Sequence, residues 1–197
     1  MKVTLQLASC AALLAHTSLA KPITSTTTTP TCIIPSIPAL PPRSAQEVIA
    51  KLNLTANPEK GYYVESFRDP DNATIPAANG TTTSYRSFST AIYYLLEGRA
   101  GDSIWHRVDA VEVWHHYAGA ALTLTLSYDD GKPVTKKVLG PDIFAGDGQR
   151  PQVAIGKFQW QSARSHGDWT LVGTTVAPGF TDSGTELAAP EWKPTGA

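Results

Sequence analysis

Residues 121–139 read ALTLTLSYDDGKPVTKKVL, and the reading of this stretch decides the fold class. Leu122, Leu124 and Leu126 alternate with Thr123 and Thr125. Successive side chains of a strand project to opposite faces, so the leucines share one face and the threonines the other. Asp129-Asp130-Gly131-Lys132 is a turn signal, and a second short strand pattern runs from there to Leu139. This is a β-hairpin with one apolar face.

The same texture extends outward in both directions. GYYVESFR (61–68), YRSFSTAIYYLL (85–96), EVWHHYAG (112–119), QVAIG (152–156), FQWQSAR (158–164) and WTLVGTTVAPGF (169–180) mix aromatic, β-branched and polar residues. AGDGQ at 145–149 and SHGD at 165–168 punctuate them as turns. Many short strands at regular spacing predict an all-β sandwich or small barrel. One helix is expected, opened by Ser44 and Glu47 as a capping box, with Val48, Ile49 and Leu52 on one face. The chain has no Gly-rich phosphate loop, no G-x-S-x-G elbow and no βαβ alternation, which excludes the nucleotide-binding α/β classes.

The ends are read separately. Residues 1–20 carry a basic start at Lys2, a short apolar run and small residues at Ser18 and Ala20, the pattern of a secretory signal peptide. Residues 21–43 are rich in Thr and Pro and lack the periodicity of helix or sheet; they are expected to form a disordered arm. Residues 44–197 then make one domain of ordinary size. Cys10 leaves with the leader, so Cys32 is the lone cysteine of the mature chain and no internal disulfide is available. Sequons at Asn53, Asn72 and Asn79 fit a secreted glycoprotein. The formal net charge is −1, with no basic stripe, which argues against nucleic acid or an anionic membrane as partner.

Chemistry concentrates in WHRVDAVEVWHHYAG, residues 105–119. If Glu112 faces inward, Trp114 and His116 share its face, while Val113, His115 and Tyr117 point away. His106 lies on a strand that reaches the same turn near Asp109 and Ala110, so His106 and Glu112 are expected to converge from adjacent strands. A histidine beside a carboxylate suits a metal site or a proton-transfer pair. In GYYVESFR the alternation puts Tyr63, Glu65 and Phe67 on one face and Arg68 on the other. Arg86 and Arg107 are the expected partners if Glu112 is a structural ion-pair residue.

The segments NPEKGYYVESFRD, TAIYYLL, SIWHRVDAVEVWHHYAG, LGPD, WQSARSHGDWTLVG and VAPGFTDSGTELA follow in an order that resembles one small group of cupins, the cupin-5 family, over about residues 44–192. The resemblance implies a double-stranded antiparallel jelly roll, a cupin β-barrel with a short N-terminal helix, usually dimeric, and a small-molecule substrate or ligand. His106, Glu112 and Gly119 match part of the first cupin motif. Where metal-binding cupins carry a second histidine two residues on, this chain has Val108. The strand equivalent to the second motif offers Gln159 or Gln161 in place of the ligand histidine, with Gln161 favoured by its flanks, and Gly156 replaces the usual proline. His115 is the position to which the resemblance points as a third ligand, though strand parity sets it opposite Glu112. Tyr63 and Glu65 resemble the pocket-lining first strand, and Glu186 matches a family position.

The favoured expectation is a secreted cupin enzyme without a cofactor, using general acid–base chemistry for an isomerisation, epimerisation, dehydration or cyclisation. His106 and Glu112 would move protons and Gln161 would polarise a carbonyl. Tyr63, Glu65, Trp114, His116 and Gln159 would contact the substrate. Two alternatives stand beside it. One is a metal-dependent dioxygenase or decarboxylase using a divalent ion on His106, Glu112 and His115. The other is a non-catalytic module that binds a sugar or small molecule.

Overall fold

The computed structural model describes residues 43–76 and 83–197. The leader, nearly all of the Thr/Pro-rich arm, Cys32 and the Asn79 sequon lie outside the described residues. Helix α1 (Ala45–Leu52) precedes strands β1 (Thr55–Ala56), β2 (Tyr62–Arg68), β3 (Asn72–Pro76), β4 (Thr83–Ser87) and β5 (Thr90–Glu97). There follow β6 (His106–Val108), β7 (Val111–Gly119), β8 (Leu122–Ser127) and β9 (Thr135–Leu139). The last strands are β10 (Gln152–Ile155), β11 (Trp160–Ser165), β12 (Trp169–Ala177) and β13 (Thr185–Leu187). No helix among the described residues is long and apolar enough to cross a membrane.

The strands form a six-stranded sheet ordered β1-β2-β5-β12-β7-β10 and a five-stranded sheet ordered β13-β6-β11-β8-β9, with β3 and β4 as a separate ribbon. All pairings between the named strands are antiparallel. This is the expected jelly roll. The opening hairpin is β8 and β9, paired from Leu122 with Leu139 to Leu126 with Thr135. Its three leucines are buried and pack with Leu96, Leu139, Ile155 and Val172 into one core cluster. Each fully buried side chain of this kind contributes about 1.5–3 kcal/mol of transfer free energy.

Helix α1 forms because its first turn is satisfied locally. The Ser44 hydroxyl accepts from the Glu47 backbone, and the Glu47 carboxylate accepts from the Ser44 backbone N–H, the expected capping box. Asn53 ends the helix in the left-handed conformation with φ 54°. Val48, Ile49 and Leu52 pack over Leu95 and Leu54 on the outer face of the larger sheet.

The inter-sheet space is therefore used unevenly. Leucines from β8 fill one part of it, and Trp114 and Tyr94, in edge contact with ring centroids 5.7 Å apart, belong to that packing. Beyond these two aromatic rings the apolar packing stops and a cavity opens.

Candidate active site

The cavity has a volume of about 830 Å³, within the range of small-molecule sites. Tyr63, Ile92, Tyr94, Trp114, Val176 and Phe180 supply apolar and aromatic wall, and Glu59, Glu65, His106 and Glu112 reach it from several elements.

His106 and Glu112 do meet at this cavity, but not across a hairpin. Strand β6 pairs with β11 and β13, whereas β7 pairs with β10 and β12. The turn at Asp109 and Ala110 carries the chain from one sheet to the other, so the two residues approach across the barrel. Both are buried, at 4% and 6% exposure. Alternation within β7 holds as expected: Glu112 and Trp114 are buried, and the strand's other face carries Val113 and His115.

Gln161 sits opposite His106 in the β6–β11 register and is 1% exposed. Its Nε2 donates to Glu112 Oε2 at 2.6 Å, tying the two sheets together. It is not a cavity wall, so its expected role on a substrate carbonyl becomes one of holding the Glu112 carboxylate. That leaves Glu112 Oε1 as the oxygen available to the cavity. A carboxylate this deeply buried needs such a donor. The expected alternative partners are elsewhere. Arg86 is spent on Asp109 and on the carbonyls of Pro178 and Gly179, and Arg107 on Glu186 and the face of Trp160.

Glu59 is the residue the sequence reading missed. Its Oε2 stands 3.4 Å from His106 Nε2. The other ring nitrogen, Nδ1, lies 3.1 Å from the Ile104 carbonyl, which can only accept, so Nδ1 carries a hydrogen and Nε2 faces the carboxyl. Burial pushes the Glu59 carboxyl above the usual carboxylate range; His106 opposes this, and nearby Glu112 adds to it.

The loop that carries Glu59 is tightly tethered. The Asn57 side chain accepts from the Glu59 N–H at 2.8 Å, and the Glu59 carbonyl accepts from the Ile104 N–H. Lys60 donates to the carbonyls of Ala100 and Asp102, and Tyr94 donates to the Lys60 carbonyl. Gly61 closes the loop with φ +73° where a Cβ would run into the Leu95 carbonyl. Ile104 thus anchors both members of the pair, one through each of its backbone groups.

Tyr63 and Glu65 line the cavity as expected, but two neighbours do not follow simple alternation. The β2–β5 register shifts between Glu65 and Phe67, a bulge at Ser66. Arg68 consequently turns to the cavity side and grips Glu65 with two bonds of 2.9 and 2.6 Å, while Phe67 is 48% exposed and lines no part of the cavity.

Three expected contacts are corrected. His116 lines no part of the cavity: its Nε2 meets the Ala120 carbonyl at 3.1 Å, at the far end of β7 beside the bulge opposite Leu171 and Val172. Gln159 caps its own turn, accepting from the Gly156 N–H at 3.0 Å. His115 faces away from Glu112, bonded to Gln152 and stacked on Tyr117. The bulge lies beyond His115 and does not turn it inward. Among the described residues no three His, Cys, Asp or Glu side chains gather as a ligand cluster. With Val108 at one ligand position and the Gln161 amide donating to Glu112, the donor set does not fit a resident transition metal.

The family model described as Cupin superfamily (DUF985) matches residues 46–188. A protein of known structure from Shewanella oneidensis is 33% identical, with 75% of this chain and 86% of that chain covered and a TM-score of 0.64. A hypothetical protein from Leishmania major is 23% identical, over 73% of this chain and 86% of that one, also with a TM-score of 0.64. No curated protein matches.

Proposed function

This chain belongs to the cupin superfamily, in the family DUF985, and from that premise we propose that it is an enzyme moving protons on a small organic molecule without a metal. The observation that carries the reading is the gathering of proton-handling groups from both sheets on one cavity: Glu112 on β7, and His106 on β6 with Glu59 beside it. A 1,2-proton shift needs a base and an acid within reach of one substrate, and an inversion at carbon needs them on its opposite faces. Glu112, held through Oε2 by Gln161, takes a proton at Oε1 from a carbon made acidic by a neighbouring carbonyl. The Glu59–His106 pair returns one, His106 Nε2 being the delivering atom and Glu59 its reload. Net charge in the cavity is unchanged through the step, because each proton taken is matched by one given. Isomerisation and epimerisation use this set directly. Dehydration and cyclisation use the same groups with oxygen as the second proton's destination.

Apolar walls support the reading, since a dry site strengthens the proton-transfer groups. The expected leader and sequons would place this chemistry in the secretory pathway. Asn53 and Asn72 are both exposed and compatible with a glycan. The test is deuterium incorporation from D2O into a panel of reducing aldoses and ketoses, followed by proton NMR. His106→Ala and Glu112→Gln should each slow incorporation by at least ~100-fold. Unchanged incorporation in both variants would sink the assignment.

A further inference from the structure

The charges around the cavity name a ligand class for it, a deduction that rests on the acid–base reading above for its choice of site. Glu59, Glu65, Glu112 and Asp182 reach the cavity as carboxyl groups, against Arg68 and His106 as the basic ones. Arg68 is neutralised where it stands: Nε and Nη2 donate to Glu65, and Nη1 donates to the Phe180 carbonyl. With one proton between them, Glu59 and His106 cancel in the same way. Glu112 and Asp182 are left without a countercharge of their own, and the lining is net negative.

An excess of acidic side chains does not make a site by itself; the depth of Glu112 does. It lines the cavity and yet is only 6% exposed. Its Oε2 accepts from Gln161, a neutral amide, and its Oε1 has no donor among the described residues. Nor is Oε1 sealed in the packing, since the buried side-chain atoms that lack a partner there are Trp114 Nε1 and Gln161 Oε1. A buried carboxylate whose one donor is neutral is a costly group, and a charged donor relieves it further than a hydroxyl does. A metal ion is a poor candidate for that donor, because no three His, Cys, Asp or Glu side chains gather among the described residues. An organic ammonium needs no such cluster. The half-buried rings of Tyr63 and Phe180 line the same space, and aromatic rings attract such a cation. An anion entering here meets Glu112 and finds no uncommitted cation.

We propose that the cavity binds a small organic cation, a protonated primary or secondary amine whose N–H donates to Glu112 Oε1, and disfavours its neutral and anionic isosteres. A carboxylate oxygen has two lone pairs, so Oε1 holds the N–H and still faces an adjacent C–H. Calorimetry on the full chain at neutral pH tests this with benzylamine, benzyl alcohol and benzoate, which share one frame and differ in charge. Benzylamine should bind at least about tenfold more tightly than benzyl alcohol, with benzoate weakest. Glu112→Gln keeps the shape and removes the charge, and should bring benzylamine to the level of benzyl alcohol. Asp182→Asn, at the exposed rim, should weaken benzylamine about twofold and lessen its salt dependence with the circular dichroism spectrum unchanged. Benzyl alcohol or benzoate binding as tightly as benzylamine, a benzylamine preference that neither substitution lowers, or displacement of benzylamine by equimolar Mg²⁺ would each overturn the proposal. The D2O exchange run on the same preparation separates the two readings. A benzylamine preference with no exchange on any sugar removes the acid–base assignment alone, and exchange without a benzylamine preference removes the amine proposal alone.

Discussion

Replacing Gln161 by leucine takes from Glu112 its one side-chain donor among the described residues and leaves a buried carboxylate without it. The bond is 2.6 Å long between groups that are 1% and 6% exposed. A hydrogen bond to a charged group is worth about 1.5–3 kcal/mol, and cavity water takes over only part of that at 6% exposure. Gln161→Leu should therefore cost about 2–3 kcal/mol. Glu112→Leu should cost about 1–3 kcal/mol for the opposite reason, because the amide then has no partner at either end. The informative variant is the pair. Leucine at both positions removes the polar groups together and fills the gap with apolar volume, so the double variant should lie within about 1 kcal/mol of the native protein. Urea unfolding of the four proteins closes the cycle, and a domain of this size should lose roughly 2–4 °C of Tm per kcal/mol. Strict additivity of the two single costs would show that the side chains do not interact, and the argument that Gln161 holds Glu112 would fall with it.

Glu59 sets a pH dependence whose sign follows from burial. Its carboxyl is raised in the folded state, so the stability it contributes is fully present below about 4.5 and is lost as pH rises through the folded value. Glu59→Gln should flatten the stability–pH curve above 4.5, measured as urea midpoints from pH 4 to 8, and an unchanged slope would contradict the burial of this group. Arg86→Leu leaves the half-buried Asp109 and two carbonyls without their donor, and should cost about 2–3 kcal/mol by the same denaturation assay. Gly61→Ala should misplace the Glu59 loop and lower turnover in the D2O assay by more than tenfold while the sheets persist by circular dichroism. Val108→His, which restores the residue of metal-binding cupins, should not create a metal site by itself, because His115 still faces outward; elemental analysis after dialysis against Mn²⁺ or Fe²⁺ checks it.

Features set by one strand or one turn were legible in the sequence. The Leu122, Leu124 and Leu126 face, the hairpin and the Ser44–Glu47 capping box all depend on neighbours a few residues away. Parity also placed Glu112 and Trp114 inward and His115 outward correctly. It failed at Arg68 because a bulge at Ser66 inserts an extra residue, and nothing in YVESFR marks a bulge. His116 and Gln159 have inward parity yet stand outside the cavity, because each finds a local carbonyl or amide first. Glu59 carries no periodic signal at all, since it sits in the irregular loop between β1 and β2.

The sequence by itself determined the fold class, the helix cap and which face of each regular strand is apolar, because these follow from backbone geometry repeated every two or 3.6 residues. Only the tertiary structure decided which polar groups meet. His106 and Glu112 lie in different sheets, Gln161 reaches Glu112 across the barrel, and Glu59 arrives from a loop pinned by Tyr94 and Ile104. Distances between sheets are set by how their side chains pack into a shared interior, and that depends on every strand at once.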